Sequence, residues 1–375
     1  MRLGDITDIT AGQAAPKVFS NDGIAFIRAG HLEHLMNGDN LESLPKINDN
    51  IARKLRLKKI PAGSVLFAKS GMSATKNRIY ITEKDSYVVS HIAAIIPNEK
   101  FISSYLGRFL FWYKPSKLIL DSAYPSIRLT DIRNLKIPFP SLETQKQIAQ
   151  TLDNAAALRD KTQQLLAEYD QLAQSIFLDM FGDKSYKQVE LEKLSNKITD
   201  GTHHTPKYKN AGIPFLRVTD ITKSNNSKKF ISSEEHKVLI ERCKPEKDDI
   251  LYSKNGTIGV AKLIDWDFEF SIFVSLCLIK LKKDIVLPKF IEAFLNTDVA
   301  LNQAKRFSKT GTITNLHLVQ IKKIKCPVPP IHLQNQFAEK IALIEQQKDL
   351  AKQELQESED LFQALLQKAF KGELV

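Results

Sequence analysis

The feature that most constrains this chain is an internal duplication at long spacing. Gly23-Ile24-Ala25-Phe26-Ile27-Arg28 recurs as Gly212-Ile213-Pro214-Phe215-Leu216-Arg217, and Leu135-Lys136-Ile137-Pro138-Phe139-Pro140 recurs as Ile324-Lys325-Cys326-Pro327-Val328-Pro329, both at an offset of 189. Between them, Val65-Leu66-Phe67-Ala68-Lys69-Ser70-Gly71 matches Ile250-Leu251-Tyr252-Ser253-Lys254-Asn255-Gly256 at a slightly shorter offset. Three matches in the same order exclude chance. A period this long is far beyond solenoid repeats, so each copy is a domain and the chain holds two.

Composition fits that organisation. The 375 residues suit two ordinary domains, and 43% hydrophobic with 26% charged residues describes a globular protein. No run of eighteen apolar residues and no signal-peptide core is present, which predicts a cytoplasmic chain with no membrane partner. Cys243, Cys277 and Cys326 are odd in number and lack C-x-x-C spacing, which argues against a disulfide framework and a cysteine zinc site. Lys plus Arg number 54 against 43 acids, a net charge of +11 that favours polyanionic partners, nucleic acid foremost.

Each copy reads as a globule followed by a long helix. Val65 and Phe67, like Ile250 and Tyr252, alternate as strand residues do, while residues 104–113 and 289–295 read as helices, giving an α/β (α+β) globule. Residues 143–181 then contain no Gly or Pro and carry a stripe at three-and-four spacing from Ile148 through Leu152, Ala155, Arg159 and Thr162 to Met180. Shifted by 189, the stripe reads Phe337, Ile341, Ile344, Lys348, Ala351 and on to Ala369, broken at the same place by a cation. Such a helix is about 58 Å long. It cannot bury its stripe on one small domain, so either each long helix packs on a separate partner or, as the matching length and breaks favour, the two pair as an antiparallel coiled coil with a globule at each end and a pseudo-two-fold axis. The predicted divisions are 1–141 for the first globule, 142–183 for the central helix, 184–330 for the second globule and 331–375 for the C-terminal helix.

The chain shows no G-x-x-x-x-G-K-[ST] loop, no G-x-G-x-x-G turn, no Asn-Pro-Pro-aromatic methyltransferase motif and no Pro-Asp pair for a nuclease centre, so no catalytic residue is assigned. His31 and His34 could share a metal on a helix or be two ordinary polar residues, and no third ligand accompanies them. No metal site is assigned. Asp200-Gly201-Thr202-His203-His204-Thr205-Pro206-Lys207-Tyr208 gathers imidazoles, a cation and a stacking ring on one loop, as reading of base edges and phosphates requires, or forms a structural turn. Lys69-Ser70-Gly71 with Lys76 and Arg78, and Lys254-Asn255-Gly256 with Thr257, are expected in exposed loops after strands, as phosphate clamps or as solvated turns. Arg28 and Arg217 hold equivalent strand ends, facing a guanine edge or closing a salt bridge. The candidate roles are phosphate contacts for Lys69, Lys76, Lys207 and Lys254, and base readout for Arg28, Arg78, Arg217, His204 and Asn255. Ser70, His203, Tyr208 and Thr257 complete the set.

These motifs resemble the specificity subunits of type I restriction–modification systems, over essentially the whole chain. The marks are the two helix entries, Pro138-Phe139-Pro140-Ser141-Leu142-Glu143-Thr144-Gln145 and Pro327-Val328-Pro329-Pro330-Ile331-His332-Leu333-Gln334, the loop at residues 200–208, and the ending Lys368-Ala369-Phe370-Lys371-Gly372-Glu373-Leu374. The resemblance implies two target-recognition domains, each reading half of a gapped duplex DNA site, with the helix pair as spacer. It also implies two docked methyltransferase subunits that methylate adenine with S-adenosylmethionine, and motor–endonuclease subunits that use ATP and Mg for restriction. The chain itself would be non-catalytic and bind no cofactor. A 58 Å spacer corresponds to about 17 base pairs at ~3.4 Å rise, an upper limit on the gap. The first domain shows no counterpart to the Asp200–Tyr208 motif, as expected if the domains read different half-sites. Met1 leads almost directly into Leu3, where many relatives carry an extra stretch. The competing reading is a coiled-coil adaptor without sequence-specific DNA readout.

Overall fold

The computed structural model describes residues 1–182, 186–222, 229–308 and 315–374. It divides into two compact units, residues 1–163 with 353–375, and residues 164–352. The breaks at 163 and 352 are themselves 189 apart, so the division respects the duplication.

In the first unit, β1 (Thr7–Ala11), β4 (Val65–Ala68), β5 (Ile79–Ile81) and β7 (Ile92–Pro97) form an antiparallel sheet of order β1-β7-β4-β5. A second sheet sets β2 (Ile24–Ile27) between β3 (Lys46–Ile47), antiparallel, and β6 (Tyr87–Val88), parallel. The second unit repeats both. Strands β9 (Ser195–Asp200), β12 (Ile250–Ser253), β13 (Ala261–Leu263) and β15 (Leu276–Leu281) take the order β9-β15-β12-β13. Strand β10 (Ile213–Leu216) lies between β11 (Phe230–Ile231) and β14 (Ser271–Ile272), with the same pair of senses. A further ladder joins β8 (Gln188–Glu190) to β16 (Lys325–Pro327).

The alternation read from sequence corresponds to two faces of one strand. Val65 and Phe67 point to a core shared with helix Ser103–Tyr113, while Leu66 and Ala68 point to a second core under β2. Ile250 and Tyr252, against Leu251, divide the same way in the second unit. Both faces of the strand are buried, which explains why all four residues of each are apolar or small.

The central helix spans Leu142–Phe181 and the C-terminal helix Ile331–Lys371. They pack antiparallel within each unit, and the cations that interrupt the stripe mark the register. Arg159 reaches Glu359 at 3.4 Å in the first unit, and Lys348 pairs with Asp170 in the second. Lys348 is 189 after Arg159 and Asp170 is 189 before Glu359, so one ion pair occurs twice. Half-exposed pairs of this kind contribute only about 0.2–1 kcal/mol, so they mark the register more than they stabilise it. Apolar burial supplies the stability. Phe370 packs on Tyr105, Phe109 and Trp112 at 5.4–5.5 Å, and its equivalent Phe181 packs on Phe290 at 5.0 Å.

Each long helix is also pinned at its start by a buried glutamine. Gln145 Oε1 accepts from the Ile102 N–H at 3.0 Å, and its Nε2 donates to the carbonyls of Lys100 and Pro140. Gln334 repeats this with Leu287, Ile285 and Pro329. Neither side chain reaches solvent. Cys243, Cys277 and Cys326 are free and buried, and burial pushes the Cys243 thiol up to about 11. Among the described residues no helix is long and apolar enough to cross a membrane.

Gln145→Leu and Gln334→Leu each strand one N–H and two carbonyls without their partner. Each should cost about 2–4 kcal/mol, and by equivalence similar amounts, read by urea denaturation of the full chain. A loss under ~0.5 kcal/mol at either site would contradict the pinning role.

Candidate nucleic-acid interface

In each unit the ends of three strands converge on one connecting segment. In the first unit it is Val89-Ser90-His91, between β6 and β7. The Val89 N–H donates to the Ile27 carbonyl at the end of β2, Ser90 N–H to Gln13 beyond β1, and the Lys69 N–H beyond β4 to His91. In the second unit Phe273-Val274-Ser275 does the same. Phe273 N–H donates to Leu216, Val274 N–H to Thr202, and Lys254 N–H to the Ser275 carbonyl. This convergence brings Arg28, Lys69, Ser70 and Arg78 to one sheet edge, and Thr202, His203, Arg217 and Lys254 to the equivalent edge.

Close backbone approach builds the edge. A Cβ on Gly12 would lie 1.9 Å from the Val88 carbonyl oxygen, and one on Gly201 2.0 Å from that of Ile272, so only glycine fits either place. The first domain lacks the side chains of the motif at 200–208 but has a backbone counterpart of that loop. Gly12-Gln13-Ala14-Ala15-Pro16-Lys17-Val18 follows β1 as Gly201-Thr202-His203-His204-Thr205-Pro206-Lys207-Tyr208 follows β9. Gln13 bridges Val89 in parallel as Thr202 bridges Phe273. Pro16 and Pro206 are both buried, and the lysines after them are both exposed. The backbone plan is shared while the side chains differ, which is why sequence comparison passed over it.

The candidate residues fall into two groups. Lys76, His203, His204, Lys207 and Thr257 are exposed, and Tyr208 is 37% exposed with the Lys229 ammonium 4.7 Å from its ring centroid. Arg28 is exposed, its guanidinium 5.2 Å from the Phe19 ring centroid. Others are engaged within the fold. Ser70 Oγ lies 2.7 Å from His91 Nδ1, and Lys69 is held through its backbone by His91 and Ile127. Arg78 forms an ion pair with Glu33 at 2.5 Å, and the Arg217 N–H donates to Asp220 Oδ2 at 2.7 Å. Asn255 bridges Asn315 in antiparallel fashion.

Lys254 corrects the expectation of an exposed phosphate clamp. It is 5% exposed, and its ammonium lies 3.2 Å from the buried Asp200 carboxylate. Asp200 also accepts from His203 at 3.2 Å and pairs with Arg242. A buried ammonium needs a paired anion, and Asp200 is fifty-four residues away in sequence, so the pairing was not visible there. Asp200 and Arg242 are the residues missed as organisers of this edge.

His31 and His34 do not converge. The His31 ring accepts from the Arg28 N–H at 3.2 Å, whereas His34 faces Asp39 at 3.3 Å. Among the described residues no group of three His, Cys, Asp or Glu side chains could hold a metal. Burial, reinforced by Arg28 and His34, holds the His31 pKa below its ordinary value, consistent with a neutral acceptor.

A family model described as "Type I restriction modification DNA specificity domain" matches residues 1–168 and again residues 184–359. The chain is 25% identical to the Escherichia coli type I restriction enzyme EcoBI specificity subunit over 72% of its length. It is 32% identical to the MjaIX specificity subunit of Methanocaldococcus jannaschii over 40%. It spans 66% of the first relative and 36% of the second. In fold it is similar, at TM-score 0.54 and 18% identity, to the S subunit of the type I restriction–modification system of M. genitalium, covering 99% of this chain and 95% of that one. A chain from a structure concerned with complex assembly and conformational transition of the type I R-M system matches at TM-score 0.61 and 18% identity, over 100% and 97% of the two chains.

Asp200→Asn should destabilise the second unit by about 3–5 kcal/mol by leaving Lys254 buried beside a neutral amide. Chemical denaturation checks this, and a loss below ~1 kcal/mol would show that the ammonium reaches water. The lowered His31 pKa gives a second expectation. Stability from the neutral ring is complete above the unfolded value of about 6.5 and is lost as pH falls through the folded value. His31→Asn should flatten that acid-side slope in a pH series of melts, and an unchanged slope would contradict it.

Proposed function

Because this chain belongs to the family of type I restriction–modification specificity subunits, we propose that it is the DNA-recognition subunit of such a complex, each domain reading one half of a bipartite, gapped duplex site. One observation carries this reading. The same strand-end edge is built twice, on glycines at equivalent positions, yet dressed with different side chains. His203, His204 and Tyr208 on one edge correspond to Ala14, Ala15 and Val18 on the other. A shared scaffold with divergent polar and apolar groups is what two different half-sites require, since phosphate contacts position a domain and base-edge contacts specify sequence.

The two long helices supply the spacer in this reading, and their length limits the gap. Two methyltransferase subunits dock on the assembly and carry S-adenosylmethionine for adenine methylation. Motor–endonuclease subunits, using ATP and Mg, join for restriction. This chain contributes binding and orientation and no chemistry of its own, and it works in the cytoplasm with the DNA. The net charge of +11 supports a polyanionic partner.

The test is a genome-wide map of adenine methylation in the host with and without the gene. Deletion should abolish methylation at a single two-part motif. Exchanging residues 184–330 for the equivalent domain of a relative should then alter one half of that motif and leave the other. An unchanged map on deletion, or a swap that changes both halves, contradicts the reading. Assembly that is insensitive to salt and independent of DNA would favour an adaptor instead.

A further inference from the structure

The loop that follows β1 ends beside a basic segment that the known motifs leave unassigned. Helix Asp49–Leu55 and the residues after it read Arg53-Lys54-Leu55-Arg56-Leu57-Lys58-Lys59. Lys58 and Lys59 are ion-paired with Asp8 and Asp85. Arg53, Lys54 and Arg56 are exposed and, like Lys17 on the loop, have no carboxylate partner among the described residues. Cations in a last helical turn are favoured by the helix dipole, which accounts for Arg53 and Lys54 by about 0.3–1 kcal/mol each. It does not account for Lys17, which comes from another part of the chain.

Gln13 makes the two elements one surface. Its Nε2 donates to the Arg56 carbonyl at 3.1 Å, and its Oε1 accepts from the Lys58 N–H at 3.1 Å. Between them lies an open groove of about 570 Å³ lined by Ala15, Pro16, Val18, Leu55 and Leu57. Val18 is 70% exposed and Leu55 46% exposed. An apolar floor with Lys17 and Lys54 in its lining, and Arg53 and Arg56 exposed on the same helix end, all four without a carboxylate partner among the described residues, is complementary to duplex DNA, whose sugars and thymine methyls are apolar and whose phosphates carry the charge. The second unit is built differently here. Its helix Ser233–Arg242 reaches the end of β9 through Arg242, whose charge is matched by Asp200.

We infer that the surface formed by Lys17, Val18, Arg53, Lys54, Leu55 and Arg56 is the principal DNA contact of the first domain, with the cations on phosphates and Val18 against a base edge. This rests on the reading that the chain recognises DNA, and deepens it by placing recognition beside the Gly12 loop.

The experiment purifies the assembly from its host through a tag on this chain and presents it with a sheared genomic duplex DNA pool at several salt concentrations. The variant Lys17→Ala/Arg53→Ala/Lys54→Ala/Arg56→Ala changes exposed residues only, and its thermal melt reports folding. It should bind more weakly, with the slope of log affinity against log salt reduced by about 3.5. Val18→Glu alone should remove one half of the enriched two-part motif and spare the other. If the wild type enriches a two-part motif and both variants enrich it unchanged, DNA recognition stands and this surface is not its site. Intact DNA binding with lost host methylation would assign the patch to an acidic protein partner and overturn the inference. If the wild type enriches no sequence, the function itself fails and the inference falls with it.

Discussion

The rest of the structure depends on the pairing of two helix halves inside each unit, because neither globule closes its core alone. The first core takes Ile148, Leu152 and Ala156 from the central helix and Phe362, Leu366 and Phe370 from the C-terminal helix. The second takes Phe177 and Phe181 from one and Phe337, Ile341 and Ile344 from the other. Burying one such side chain contributes about 1.5–3 kcal/mol, so the helix residues outweigh any single ion pair along the seam. Register then follows from packing, and the repeated Arg159–Glu359 and Asp170–Lys348 pairs refine it.

Electrostatics are organised differently on the two strand-end edges. In the second unit a buried carboxylate, Asp200, gathers Lys254, Arg242 and His203. The equivalent place in the first unit is Ala11, at the end of β1, and its loop is held instead by the neutral amide of Gln13. One edge therefore commits Lys254 and Arg242 to a buried carboxylate, while the other has no such carboxylate at the end of its first strand. Net charge alone conceals that difference.

The duplication and the helices were legible because both leave marks at fixed spacing. The stripe from Ile148 to Met180 required only the amphipathic period, and it predicted a helix over 143–181 where one spans Leu142–Phe181. The cations in the stripe looked like faults. Their partners sit at the complementary offset on the other helix, and only pairing shows it. Strand order was out of reach, since β3, β6, β11 and β14 are two residues long and carry no periodic signal. The buried state of Lys254 was equally hidden, because it depends on a carboxylate from another strand. Gly12 and Gly201, exactly one repeat apart in number, were the available sign of the first domain's loop, but the side chains between Gly12 and Val18 bear little likeness to those between Gly201 and Tyr208.

The composition of the first unit has a consequence for biosynthesis. Residues 353–374 complete a core begun by residue 3, and they leave the ribosome after every residue of the second unit. The usual vectorial order, in which an N-terminal domain folds first, is reversed for closure of this core. The nascent first globule must wait with Tyr105, Phe109 and Trp112 uncovered until Phe370 emerges. A chain cut short by premature termination thus leaves an aromatic patch of its first globule in solvent, an apolar surface of the kind that drives aggregation.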